Sequence, residues 1–289
     1  MKSLSKYLLE TVGLLSVLVS TSQAIQADWD PGKHMAKSMI INLALGKSIQ
    51  QNSNYGFCDT CYLGAFIQPG NNSFITTQLE EGRGYLFAGA VEEGNDLDIT
   101  IEDQNGNRFA RDTKTDNIPF VEFVPPQTGM YTVRLKLHSA NSAEFCGMVL
   151  MQKGGWNLPL ENLGSASARA LARCQRVAEL TSARFLQEPG EWAIIGQVMA
   201  EGNGGMFSDM RLGHGQRVIV TGTDNKSQDI DLAAYRDGSS RVRLASDTQS
   251  DNNPIIRLTT SRDSRYSIET INARSNGPSV VMTALLDID

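Results

Sequence analysis

The chain has 289 residues, 40% hydrophobic and 20% charged, with a formal net charge of −6 and a pI near 5.2. That is ordinary globular composition, long enough for two cores of common domain size. The acidic balance excludes the basic footprint that nucleic acid or an anionic lipid surface requires.

The first residues carry a leader pattern. Lys2 and Lys6 make a short positive region, Val12–Ser20 an apolar core, and Ser22-Gln23-Ala24 a small-x-small cleavage site, with a second site after Ala27. The apolar run is too short to span a bilayer. No cysteine stands at the cut sites, so a lipid anchor is unsupported. A signal peptide over 1–24 is therefore expected, with export to the periplasm or the medium and no transmembrane segment after cleavage. Its loss takes the charge from −6 to −7.

Trp29 then leads into a helix expected over Lys33–Ser48, where Met35, Met39 and Leu43 recur at helical spacing. Cys58-Asp59-Thr60-Cys61 follows a polar loop and precedes a strand-like run, Tyr62–Gln68. In DLDITI, Leu97, Ile99 and Ile101 alternate with Asp96, Asp98 and Thr100, the period-two signature of a strand with one buried face. Val121 and Phe123 continue the pattern, as do Tyr131, Val133, Leu135 and Leu137. Turn signals such as Asn105-Gly106, Pro125-Pro126 and Gly129 separate the strands. Trp156 then precedes a second helix, expected over Ala166–Leu186 with Leu171, Cys174 and Ala178 on one face and a Ser165 or Ser167 cap.

The remainder repeats the first half. Asp229-Ile230-Asp231 matches Asp96-Leu97-Asp98 at an offset of 133, and Leu212 and Gly222 match Leu79 and Gly89 at the same offset. Asp247–Leu258 matches Asp112–Phe123, and Tyr266 matches Tyr131, both at 135. Many short strands with turn signals between them predict antiparallel sandwiches rather than βαβ units. The expected fold is mainly β: two tandem antiparallel, jelly-roll-like sandwiches, each preceded by a helical segment, over 25–153 and 154–289.

Gly82–Gly89 (G-x-x-Y-L-F-A-G), Asp96–Asn107 (DLDITIEDQNGN), Thr115–Phe123 (T-D-N-x-P-x-V-E-F) and Thr128–Leu135 (TGMYTVRL) occur in order. Together they resemble the bacterial pre-peptidase C-terminal domain family, over about 62–152 and more loosely over 193–287. In the second copy Ser264 stands where Gly129 precedes the tyrosine. The resemblance implies a compact β-sandwich on secreted proteins, commonly appended to peptidases, with some relatives binding collagen, polysaccharide or calcium. The two repeats nearly fill the chain, so the family's role as accessory to a peptidase in cis does not transfer.

Three sets of residues invite chemistry. Asp96, Asp98, Asp112 and Asp116, with their counterparts Asp229, Asp231, Asp247 and Asp251, form an oxygen-rich pattern that would suit Ca²⁺. Turn capping by the same residues is the competing reading. Cys58, Cys61, Cys146 and Cys174 suit a structural disulfide in an exported chain, from the Cys58/Cys61 loop to Cys146 or across to the Cys174 helix. Redox use of Cys58/Cys61 lacks the helix-opening context, and zinc lacks a second cysteine pair. Trp156 and Trp192 stand apart from the buried strand phase and could serve as a carbohydrate platform or as packing, and Glu201–Gly205 reads as a mobile loop.

No G-x-S-x-G, H-E-x-x-H or usable S-x-x-K is present. His34, His138 and His214 read as surface residues, and Ser208-Asp209 lies near His214 without the geometry a triad needs. The expectation is a non-catalytic binding protein with no cofactor other than calcium, recognising protein or polysaccharide and not nucleic acid. A structural component of an envelope assembly and a hydrolase with an unrecognised site are the alternatives.

Overall fold

The computed structural model describes residues 30–185 and 190–288. The expected leader, both of its cut sites and Trp29 lie outside the described residues.

Helix α1 spans Asp30–Asn52 and α2 spans Leu160–Thr181. The second starts earlier than expected because Pro159, extended at φ −60° and ψ 141°, sets the N-terminus. Ser165 and Ser167 therefore lie inside the helix, and their hydroxyls donate to the carbonyls of Asn162 and Leu163 instead of capping it. Its C-terminus closes at Ser182, left-handed at φ 54°, whose N–H donates to Ala178 O.

Between the helices lie β1 (Tyr55–Ile67), β2 (Asn72–Leu79), β3 (Tyr85–Ala90), β4 (Asp96–Asp103), β5 (Arg108–Asp112), β6 (Phe120–Phe123), β7 (Gly129–Ser139) and β8 (Glu144–Lys153). After α2 come the short β9 (Arg184–Phe185), then β10 (Ile194–Met199), β11 (Gly204–Met210), β12 (Gly215–Thr223), β13 (Ser227–Asp237), β14 (Val242–Asp247), β15 (Ile255–Thr260), β16 (Arg265–Ser275) and β17 (Ser279–Ile288). The described chain is mainly β, and every named pairing is antiparallel.

Strand order repeats. One small sheet runs β2-β7-β4-β5 and the other β11-β16-β13-β14, while the large sheet runs β15-β12-β17-β10-β1-β8-β3-β6 with β9 beside β17. Each half thus builds a sandwich from four strands of the large sheet and one small sheet. The halves fuse where β1 pairs with β10: Tyr62 faces Gly196, Leu63 faces Ile195 and Gly64 faces Ile194. A Cβ at Gly64 would collide with the Phe145 ring and sit 2.8 Å from Ile194 Cγ2. One at Gly196 would sit 2.7 Å from Met282 Sδ and 2.8 Å from Tyr62 Cβ. Glycine at these two equivalent positions lets the large side chains of the seam close over the join.

Two apolar cores run across both halves. One lies between the large sheet and the helices and includes Met35, Met39, Phe57, Tyr62, Leu171, Cys174 and Met282. The other lies between that sheet and the small sheets and takes Leu97, Ile99, Ile101, Tyr131, Val133, Leu135 and Leu137, with Leu232, Ile256, Leu258 and Tyr266 from the second half. The period-two faces read from sequence are these buried faces. Helix α1 packs on β1, β3 and β8, α2 packs on β12 and β17, and the helices touch each other. At Gly222 the backbone of α2 comes so close that a Cβ would overlap Ala170 and Ala166.

Candidate functional site

The seam is imperfect at one end, and the imperfection makes a cleft. On its β8 side β1 bulges: Phe57 faces Met151 and Tyr62 faces Val149, so residues 58–61 stand opposite Leu150 alone. On its β10 side the ladder ends at Thr60 opposite Gln197. Beyond it Phe57 pairs with Trp156 through Phe57 N–H to Trp156 O (2.9 Å) and Trp156 N–H to Phe57 O (2.8 Å). The chain can make that crossing because Gly56 and Gly155 touch backbone to backbone, where a Cβ on either would overlap the other.

Between the diverging strands opens a cleft of about 290 Å³, lined by Asp59, Trp156, Gln197, Met199 and the Gly202–Gly205 hairpin turn. Trp156 is half-buried against the helix-side core, and its indole N–H donates to Asp59 Oδ1 at 2.7 Å. Gln197 is buried, and its amide lies so close to Gly205 that a Cβ there would overlap it. Gly202, at φ +77°, turns the hairpin. Asn272 of β16 holds that hairpin: its backbone bonds to Gly202 N–H (2.8 Å) and Asn203 O (2.9 Å), and its amide donates to Met199 O at 3.1 Å. Among the described residues, Asp59 is the one charged residue lining the cleft.

Trp156 and the Glu201–Gly205 loop, separate features in the sequence, thus meet at one site. Asp59, Gln197 and Asn272 escaped sequence reading, because each has its place through pairing across the seam and none stands in a motif. A polar Asn272 in the apolar phase of its strand was the one local signal. Trp192 does not join them. It is buried in the sandwich-side core, and its indole N–H donates to Phe74 O at 3.1 Å.

The repeated aspartates divide into two kinds. Asp112 accepts the N–H groups of Lys114 and Phe120, and Asp247 those of Gln249 and Ile255. Asp116 and Asp251 accept from Ile118 and Asn253, while their carbonyls take the N–H groups of Leu97 and Ile230. These four cap turns identically in both copies. Asp96 and Asp229 differ, since the Oδ1 of each is buried without a hydrogen-bond partner. Burial, then Asp96, and to a smaller degree Asp112 push the Asp98 carboxyl above the usual range, while His138 and Lys136 oppose them. Burial, Asp229 and Asp247 do the same to Asp231. Among the described residues, no three of these aspartates bring ligand oxygens within 4.8 Å of one another.

All four cysteines are free thiols, where a disulfide was expected. Register explains it. Cys146 faces Ala65, four residues along β1 from Cys61, a separation of roughly 13 Å at strand rise. Cys58 packs toward the sandwich-side core and Cys61 lies in the helix-side core, so neither meets the other's face. Cys174 is buried on α2. Burial pushes the Cys61 thiol up to about 12 and raises the Cys58, Cys146 and Cys174 thiols too, the reverse of what a nucleophilic thiolate needs. Asp209, an exposed residue, pairs with Arg265 at 3.5 Å.

Fold and site together define a tandem β-sandwich protein with one shared sheet and a cleft at the join. No family model matches the chain, and no curated protein matches it. Among solved structures it is similar to the pre-peptidase C-terminal domain of a collagenase from Bacillus anthracis, at 12% identity and a TM-score of 0.28, over 32% of this chain and 88% of that one. It is also similar to the tandem CBM22-1-CBM22-2 domain of Paenibacillus barcinonensis Xyn10C (11%, TM-score 0.22, 73% and 82%) and to the PBSX exported protein XepA (10%, TM-score 0.26, 77% and 84%).

Proposed function

We propose that this is an exported, non-catalytic binding protein that takes a neutral polysaccharide chain in the seam cleft. The carrying observation is the convergence of Trp156, Asp59, Gln197 and the glycine-rich hairpin on one opening between the repeats. An indole face stacks on the C–H face of a sugar ring, and amide, carboxylate and backbone groups beside it bond ring hydroxyls. Among the described residues the lining carries a single carboxylate and no cationic side chain, which disfavours an acidic chain. The leader pattern of residues 1–24 is what supports export.

The test is retardation of the native protein in gels cast with neutral or uronic-acid polysaccharides. Retardation by a neutral polymer that Trp156→Ala abolishes supports the reading. Retardation equal in the variant, or by acidic polymers alone, overturns it.

A second reading places calcium beside Asp96 and Asp98 and beside Asp229 and Asp231. The unpartnered buried Oδ1 in both copies favours it, because a buried carboxylate oxygen without a partner calls for a donor or a cation. Thermal unfolding with Ca²⁺ and with chelator tests it. A rise in midpoint lost in Asp96→Asn supports calcium, and no rise removes it.

A further inference from the structure

Far from the cleft, three metal-type donors meet. His34 on α1, Glu92 after β3 and Glu144 at the start of β8 each place a ligand atom within 4.8 Å of the other two. His34 Nδ1 lies 3.1 Å from Glu92 Oε2 and 4.0 Å from Glu144 Oε2. In each carboxylate the far oxygen is held from outside: Lys37 Nζ donates to Glu92 Oε1 at 2.6 Å, and Ser142 Oγ to Glu144 Oε1 at 3.3 Å. Both Oε2 atoms are thereby turned toward the imidazole. Orientation of ligating carboxylates by partners on their outer oxygens is how metal sites are commonly braced.

We propose that His34 Nδ1, Glu92 Oε2 and Glu144 Oε2 bind a divalent transition-metal ion of the zinc class, with solvent completing the shell. One imidazole and two carboxylates from three separated stretches suit such an ion, whereas Ca²⁺ takes oxygen ligands in larger number. Glu144 is largely buried and His34 half exposed, so the ion would sit at the surface with an open side. Its structural effect would be to clip the first turns of α1 to the β3–β4 turn and to β8. That is where Ser38 Oγ already donates to Ala90 O at 2.9 Å.

The untagged full chain, stripped of metal and kept in excess Ca²⁺ so that oxygen-only sites are filled, is titrated with Zn²⁺ by calorimetry. The proposal predicts one saturable ion per chain, weakened about tenfold or more in both His34→Ala and Glu144→Gln. It also predicts a Co²⁺ visible absorption band that His34→Ala removes. His34 is half exposed, so its variant keeps the fold, and that is checked by an unchanged unfolding midpoint without metal. Failure to saturate, or affinity unchanged in either variant, overturns the site.

Discussion

The indole N–H of Trp156 reaches Asp59 Oδ1 at 2.7 Å across 97 residues of sequence. Asp59 lies in the bulge of β1, and Trp156 lies on the short link that leads out of the first repeat into α2. Their bond therefore ties the exit of one repeat to the strand that joins it to the other. The same bond fixes the indole at the mouth of the cleft.

Trp156→Ala should abolish polysaccharide retention while lowering stability by only about 1–3 kcal/mol, since the ring is half-buried and its backbone bonds to Phe57 remain. Urea unfolding of the variant beside its retention in gels separates the two effects. Asp59→Asn keeps an oxygen to accept the indole N–H and should retain most of the binding.

Gly222→Ala should destabilise the fold by about 1–3 kcal/mol, because the added methyl overlaps the backbone of α2 at Ala166 and Ala170. Gly82→Ala is the contrast. It has no neighbour within 4 Å and carries only the strain of φ +72°. Thermal unfolding should rank Gly222→Ala as the more damaging.

Asp98 and Asp231 have carboxyls held above the usual range by burial and by neighbouring aspartates. The folded state thus binds their protons more tightly than the unfolded chain does. No penalty exists below the unfolded value of about 3.9, and it grows as pH rises through the folded value and is full above it. In chelator, Asp98→Asn and Asp231→Asn should raise stability at neutral pH and leave it unchanged in strong acid. Denaturant melts across that range would show the opposite slope if these carboxylates were stabilised as anions.

Four thiols per chain should be titratable in the unfolded, unreduced protein. In the native state they should react slowly, because burial keeps them protonated. Fewer than four thiols after unfolding would mean that oxidation forms a bond absent from this register.

Strand faces were legible because period two is a local property: Leu97, Ile99, Ile101 and their counterparts Ile230 and Leu232 lie in the cores their spacing predicts. Tandem repetition was legible for the same reason. The seam was not, since Gly64 and Gly196 are unremarkable until β1 and β10 are paired and the space around each is known. For Trp192 the sequence left platform and packing both open, because nothing local shows that the link before β10 folds back onto β2, where its indole finds Phe74 O. The aspartates were seen as one set. Only the loop geometry separates the four that cap turns from the pairs at Asp96/Asp98 and Asp229/Asp231.

The claim that the seam cleft is the ligand site is tested most directly by the indole N–H resonances of Trp156 and Trp192 during titration with a soluble neutral oligosaccharide. The Trp156 resonance should shift saturably while that of Trp192, buried in the sandwich-side core, stays in place. Saturable binding that leaves the Trp156 resonance unmoved would contradict the account and send the search for the site to another surface.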